Sequence, residues 1–377
     1  MKLIINKFPP ITQPCEIDLS KKVILFVGKN NSGKTYLSQL IWGIYNVEKE
    51  YISNLNSTDI SHDNLENIAF DFVTYLKKYT IKSIFKREID IDFKIEFTLE
   101  ELQSKKYLNS VFLPSTRLFL PSFYKYIFNT EKNFKDNMFE NFDKINSKNK
   151  SFYAPSYTQP VDELIKKLIF RLDKPVEEKN SYLEILSNVI EGNISVDRAE
   201  EIGMADISYH HKSGENISMY LSSSMVNQLS MLYLYFKYWY EDKESFLLLD
   251  EPEMNLHPSK KIKIMELLLD FASDNKLLIA THSSTLAKSL INYLHLFDLK
   301  DKKENMQEFI DENGLDMNLD IDLKSNDIGI YAFNGKTIVS YKRDNNSDIH
   351  FGTFTEVEEL QNRQFDYIME ELDKYDS

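Results

Sequence analysis

A single cysteine, Cys15, stands among 377 residues. That excludes an intrachain disulfide framework and a cysteine-rich zinc site, and it suits a reducing compartment. Long apolar runs are missing as well. Stretches such as MLYLYF at 231–236 fall far short of the roughly 20 residues that a membrane-spanning helix needs. The opening MKLIINKF lacks the apolar stretch of about 7–15 residues that marks a secretory signal. No heptad pattern is sustained, which excludes a long coiled-coil arm, and no internal repeat is present. A cytoplasmic protein with no membrane segment is the expectation.

Basic charge is also short. Lys and Arg number 45 against 59 Asp and Glu, a formal net charge of −14, which argues against a broadly basic nucleic-acid binder. The deficit is uneven. Residues 298–377 carry 20 acidic and 9 basic side chains, while the other 297 residues are close to neutral at −3. What the chain has in quantity is apolar material, at 42% hydrophobic and 13% aromatic. That is enough for a sizeable core, and the length suits roughly two to three domain-sized units.

The first 45 residues read as three strands, a loop and a helix. KLIINK (2–7) and CEIDL (15–19) pair across the Pro9–Pro10 turn, and VILFV (23–27) is apolar throughout, as a strand buried on both faces must be. From 46 to 202 the character changes to a largely helical α/β insertion. Helices are expected near 62–78, 161–173 and 181–191, strand-like alternation over 84–98, and a polar loop over 130–150. A second strand–loop–helix block spans 203–297, with strands near 205–211, 216–220, 246–249 and 277–280 and helices over 224–240, 259–272 and 284–296. The remainder, 298–377, reads as an acidic loop-like linker to 327, a hairpin over 328–341 turning at Asn334–Gly335, and a polar helix near 355–374.

Residues 28–35, GKNNSGKT, match the phosphate-binding pattern G-x-x-x-x-G-K-[ST] between a strand and a helix. Gly28 and Gly33 let the backbone turn its N–H groups inward, with Asn30, Asn31 and Ser32 between them. Asn31 stands where a positive φ is needed, which asparagine tolerates. Lys34 would reach the β- and γ-phosphates of ATP, and Thr35 would ligate Mg²⁺. The apolar strand 246–249 ends in two carboxylates. Asp250 is placed for the Mg²⁺ shell and Glu251 for the attacking water.

Together GKNNSGKT, LLLDEPEMNLHP (247–258) and IATHSS (279–284) resemble the ABC-type ATPase heads of the RecF/SMC/OLD group. They are most similar to small bacterial AAA-like members with a DEPExxLHP motif. The resemblance covers about 1–45 and 203–297 and reaches PSTR (114–117) more loosely. It implies a P-loop NTPase head with a mixed β-sheet flanked by helices, hydrolysing ATP with Mg²⁺. By the same resemblance Ser222, Ser223 and Ser224 occupy the place of the signature loop, although both signature glycines are serine here and Met225 replaces the glutamine. That loop would contact nucleotide bound by a second copy, giving a homodimer or higher oligomer through ATP-sandwiched heads. His282 resembles the switch histidine that senses the γ-phosphate.

Other residues are open to two readings. Arg117 is by resemblance a nucleotide-proximal or dimer-interface residue, and otherwise a surface arginine after a strand. His257 either serves the site or shapes the turn before the next helix. His210 and His211, adjacent on a strand, point to opposite faces and read as structural. Gln39 falls inside the P-loop helix and does not match a Q-loop. Lys77, Lys78, Lys82, Lys86 and Arg87 with Tyr79 form either a solvated face or a DNA contact. No TOPRIM-type nuclease domain is recognisable, and the Asp320/Asp322 pair lies in a loop-like acidic stretch.

Two functions follow as expectations. One is an ATPase and sensor subunit of a bacterial anti-phage defence system, controlling a separate effector such as a nuclease or toxin. The alternative is a RecF-like DNA repair or maintenance ATPase that binds DNA directly.

Overall fold

The computed structural model describes residues 1–53, 60–104, 109–119, 158–172, 180–198, 205–241, 245–300 and 305–341, with the isolated positions 55, 243, 302 and 363–364. The expected loop over 130–150 and nearly all of the expected final helix over 355–374 lie outside the described residues.

A six-stranded mixed sheet forms the centre. Its strands are β3 (Val23–Gly28), β5 (Asn109–Leu113), β9 (Ser245–Asp250), β10 (Lys276–Thr281), β11 (Ile328–Phe333) and β12 (Ile338–Ser340), in the order β12-β11-β3-β10-β9-β5. All neighbours are parallel except the β11–β12 hairpin. The α/β class with a mixed, helix-flanked sheet is therefore as expected. β3, β9 and β10 are buried at every position, and alternation along β3 explains why. Val23, Leu25 and Val27 enter one apolar cluster, Ile24 and Phe26 the other, so both faces of the sheet are covered.

The second face packs on α1 (Lys34–Ser53) and on a three-stranded antiparallel sheet, β2-β1-β4, formed by β1 (Lys2–Lys7), β2 (Cys15–Asp18) and β4 (Asp92–Glu96). α1 runs eight residues beyond the expected end at Tyr45, since no Gly or Pro interrupts residues 44–53. The same face takes α2 (Leu65–Tyr75) and α3 (Ile81–Phe85), joined by a π-turn at 76–80. Strand-like alternation over 84–98 is corrected here. Ile84 and Phe85 are adjacent and both buried, which a helix end permits, and Lys86 leaves it with φ 55°. Only 92–96 is strand.

The first face carries α5 (Gln159–Phe170), α6 (Ser181–Ile190), α7 (Ser224–Leu234), α8 (Pro258–Asp274) and α9 (Ser284–Lys300), with α4 (Leu99–Ser104) preceding them in the chain. β6 (Gly192–Arg198), β7 (Ala205–His211) and β8 (Asn216–Ser218) form a separate antiparallel sheet beside them. β6 was not foreseen, nor was α10 (Met306–Asn313) within the stretch read as loop-like.

Two spans expected to lie outside the head contribute strands to its sheets. The 46–202 stretch supplies β4 and β5, and the acidic tail supplies the hairpin β11–β12, with β11 parallel to β3. The contact is tight at Gly28, where φ is 152° and an added Cβ would lie 2.2 Å from the Phe333 carbonyl oxygen. Gly28→Ala is expected to lower stability by about 2 kcal/mol, through forced separation of β3 from β11. Chemical denaturation compared with wild type checks this.

Candidate active site

In-register pairing brings the C-terminal ends of the parallel strands to one edge. Gly28 lies opposite Phe333, Val27 opposite Thr281, Ala280 opposite Asp250 and Leu249 opposite Leu113. In open parallel sheets ligands bind at this edge. The P-loop leaves β3 there, with Asn31 at φ 60° as expected and Gly33 at φ 99°. An added Cβ at Gly33 would lie 2.9 Å from Pro10 Cδ, so the β1–β2 turn seats directly on the loop. Lys34 and Thr35 open α1, whose N-terminus offers unbonded N–H groups and a favourable dipole to an anion. Lys34 is buried, and its ammonium donates to the Gly28 and Lys29 carbonyls at 2.7 and 2.8 Å. Burial lowers its pKa, against the pull of Asp250, Glu251 and Glu253.

Thr35 Oγ1 donates to Asp250 Oδ2 at 2.9 Å. Asp250 is 2% exposed, and desolvation raises its pKa even though the Thr35 hydroxyl, Arg117 and Lys34 favour the ionised form. Glu251 follows with φ 50°, a left-handed conformation that costs a non-glycine residue about 1–3 kcal/mol. Its N–H donates to the Ala280 carbonyl at 2.8 Å. Its own carbonyl accepts from Arg117 Nη2 at 3.0 Å, Gln228 Nε2 at 3.1 Å and the Met254 N–H at 3.3 Å. His282 Nδ1 donates to the Glu251 carboxylate at 2.9 Å. Glu253 is buried beside them and accepts from the Thr281 hydroxyl. Desolvation raises its pKa.

Arg117 is 1% exposed, which overturns both the surface and the dimer-interface readings. It donates to the Asp250 carbonyl at 2.6 Å and to the Pro114 carbonyl at 2.8 Å, besides its bond to Glu251. Burial lowers its pKa to about 10. Ser222, Ser223 and Ser224 stand apart from this cluster. Ser223 caps α7, accepting from the Val226 N–H at 3.3 Å, and Ser222 donates to the Met219 carbonyl at 2.8 Å. Among the described residues none of the three serines bonds to the P-loop. His257 caps α8 and meets Ser259 at 2.9 Å, the turn-shaping reading. His210 and His211 bond separately to Ser195 and Ser213.

The donor set fits nucleotide phosphate with Mg²⁺. A hydroxyl and a carboxylate stand side by side, the hard oxygen ligands that Mg²⁺ selects. The buried Ser32 Oγ in the loop has no protein partner, and a phosphate oxygen would satisfy it.

Residues 23–288 match the family model described as "AAA domain, putative AbiEii toxin, Type IV TA system". The chain belongs to this family. The match to the AAA domain runs from the start of β3 into α9 and so includes the span read as an insertion. No curated protein matches the chain. Among solved structures, the Smc head domain with an extended coiled coil bound to the C-terminal domain of ScpA, derived from Pyrococcus furiosus, is similar at a TM-score of 0.38 and 12% identity, over 96% of this chain and 98% of that one. The SMC head domain from Thermotoga maritima gives 0.35 and 13%, over 91% and 98%. These scores are too low for element-by-element correspondence.

Gln228 and Glu253 of the AAA domain were not singled out in the sequence. A signal was available for Gln228, since Asn227, Gln228 and Ser230 interrupt an apolar helix that is buried from Val226 to Leu234. Four of the five cations in the basic stretch have a local partner. Lys77 pairs with Asp92 and Lys82 with Glu88, while Lys78 lies over Tyr79 and Arg87 over Tyr36.

Asp250, ionised and buried, costs stability above its raised native pKa, and that cost vanishes below the ordinary carboxylate range. Asp250→Asn keeps an acceptor for Thr35 and removes the charge. Its melting temperature at pH 7 without nucleotide is expected to exceed wild type by about 2 °C. The gap should close as pH falls, which thermal unfolding at several pH values reads out.

Proposed function

We propose that the chain is a Mg²⁺-dependent ATPase whose nucleotide-bound form pairs with a second copy. The observation that carries this is the Thr35–Asp250 contact at 2.9 Å with the Glu251–His282 pair on the next residue. The loop N–H groups and Lys34 would bind the phosphates, and Thr35 and Asp250 would hold the metal. When bound, Mg²⁺ would neutralise phosphate charge. Glu251 accepts the proton of the attacking water, and His282 orients its carboxylate.

Pairing is supported by the signature loop. Ser223 and Ser224 are exposed at the α7 N-terminus, where an anion is favoured. Tyr220 and Leu221 beside them are 69% and 73% exposed, an apolar flank of the kind that a partner covers. The output is opening and closure of the pair, acting on a separately encoded effector. Between the two biological readings, the type IV toxin–antitoxin description of the family favours a defence or toxin–antitoxin role over DNA repair.

Glu251→Gln is expected to lower hydrolysis at least about 100-fold and to accumulate as a dimer in saturating Mg-ATP, read by light scattering after gel filtration. A variant that binds ATP and stays monomeric contradicts the paired site.

A further inference from the structure

The signature loop and the general base are joined through two consecutive residues of α7. The two hydrogens of Asn227 Nδ2 are shared among four acceptors, Ser222 Oγ at 2.8 Å, the Met219 carbonyl at 3.0 Å, and the Ser222 and Ser223 carbonyls at 3.3 Å. Asn227 thus holds the loop that carries the exposed serines. Gln228, the next residue, donates to the Glu251 carbonyl at 3.1 Å. Both side chains are buried, Gln228 completely. α7 is buried from Val226 to Leu234, and a close-packed segment of this kind shifts as a unit more readily than residue by residue.

Glu251 is the residue of the site whose backbone is both strained and clamped. Its φ of 50° is held by its surroundings, and three donors converge on one carbonyl, from Arg117 behind the strand, Gln228 on α7 and the turn at Met254. Two buried polar atoms in this clamp, Gln228 Oε1 and Arg117 Nε, have no partner. Such orphans are rare in a packed interior and call for an explanation. A residue chosen only for packing at position 228 would be apolar, like its neighbours Val226 and Leu229.

We propose that Gln228 is a positioning residue for Glu251, and that Asn227 and Gln228 together transmit occupancy of the Ser222–Ser224 loop to the general base. An anion taken up by the serines, in the first instance the nucleotide phosphate presented by a second copy, shifts the N-terminus of α7. Gln228 then resets the Glu251 backbone, and with it the carboxylate held by His282. Hydrolysis is thereby conditional on the pairing surface being engaged. This rests on the ATPase reading above and adds the route by which pairing controls it.

Gln228→Met tests it. Methionine keeps the length and fills the space, removes an orphaned acceptor, and leaves the Glu251 carbonyl bonded to Arg117 and Met254, so folding is expected to be retained. Mg-ATP affinity, from titration with a fluorescent ATP analogue, should stay within about twofold of wild type, while the single-turnover hydrolysis rate falls about tenfold. Combined with Glu251→Gln, the substitution should add no further loss, because it acts through that carboxylate. In the nucleotide-free protein, hydrogen exchange at the Glu251 and Met254 amides should quicken. Asn227→Asp, which removes the donors from the other end of the relay, should give the same kinetic pattern and serves if Gln228→Met is unstable. A wild-type rate in both variants, or a loss that multiplies that of Glu251→Gln, overturns the relay and leaves the ATPase reading standing. Failure of the wild-type chain to bind Mg-ATP overturns that reading itself.

Discussion

Thr35 and Asp250 are 215 residues apart in the chain and 2.9 Å apart in the fold. No local structure can bring them together. Their contact depends on β9, β10 and β3 running parallel in one register, so that Ala280 meets Asp250 and Thr281 meets Val27 at the same edge. A slip of one residue would turn every inward side chain of a strand to the opposite cluster, and each of these strands is apolar on both faces. Packing on two sides therefore sets the register, and register sets the site. β11 adds a constraint from the far end of the chain, since the Phe333 carbonyl closes on Gly28 at the root of the loop.

The site is costly to the fold. Lys34, Asp250, Glu253 and Arg117 are all buried, and in each case desolvation shifts the pKa toward the neutral form. Burying one such charge alone would cost several kcal/mol. Here opposite charges and backbone carbonyls surround one another, and Arg117 binds the strand end through carbonyls, not through the neighbouring carboxylates. That choice leaves the Asp250 and Glu251 side chains free to face the P-loop and His282. Glu251 in a left-handed conformation is a second cost, offset by the three donors on its carbonyl.

Much of this was legible in the sequence where signal and structure are both local. β3 and β9 are unbroken apolar runs, the loop between β3 and α1 carries its glycines at the required spacing, and Asn31 adopts the positive φ that its position demanded. What was not legible depended on distant partners. Arg117 is an ordinary basic residue after a strand until carbonyls more than 130 residues away enclose it. The hairpin at 328–341 was recognisable from Asn334–Gly335, but its pairing with β3 was not, because an acidic flank reads as solvated. Residues 84–91 misled through alternation alone, and the π-turn that carries α2 into α3 has no compositional mark. β6 has little signal, because GNISVDR holds only two apolar side chains, on one face. α10 likewise buries only Met306 and Ile310, four residues apart.

The central claim is that Thr35 and Asp250 form a metal-assisted phosphate site already assembled by the fold. Calorimetric titration of the wild-type chain with a non-hydrolysable ATP analogue, in Mg²⁺ and again in EDTA, tests it most directly, with Thr35→Val run in parallel. Affinity should be at least about tenfold higher with Mg²⁺, and Thr35→Val should erase that difference while leaving the metal-free affinity in place. Equal affinity with and without Mg²⁺ in the wild-type chain, or no binding at all, would contradict the account.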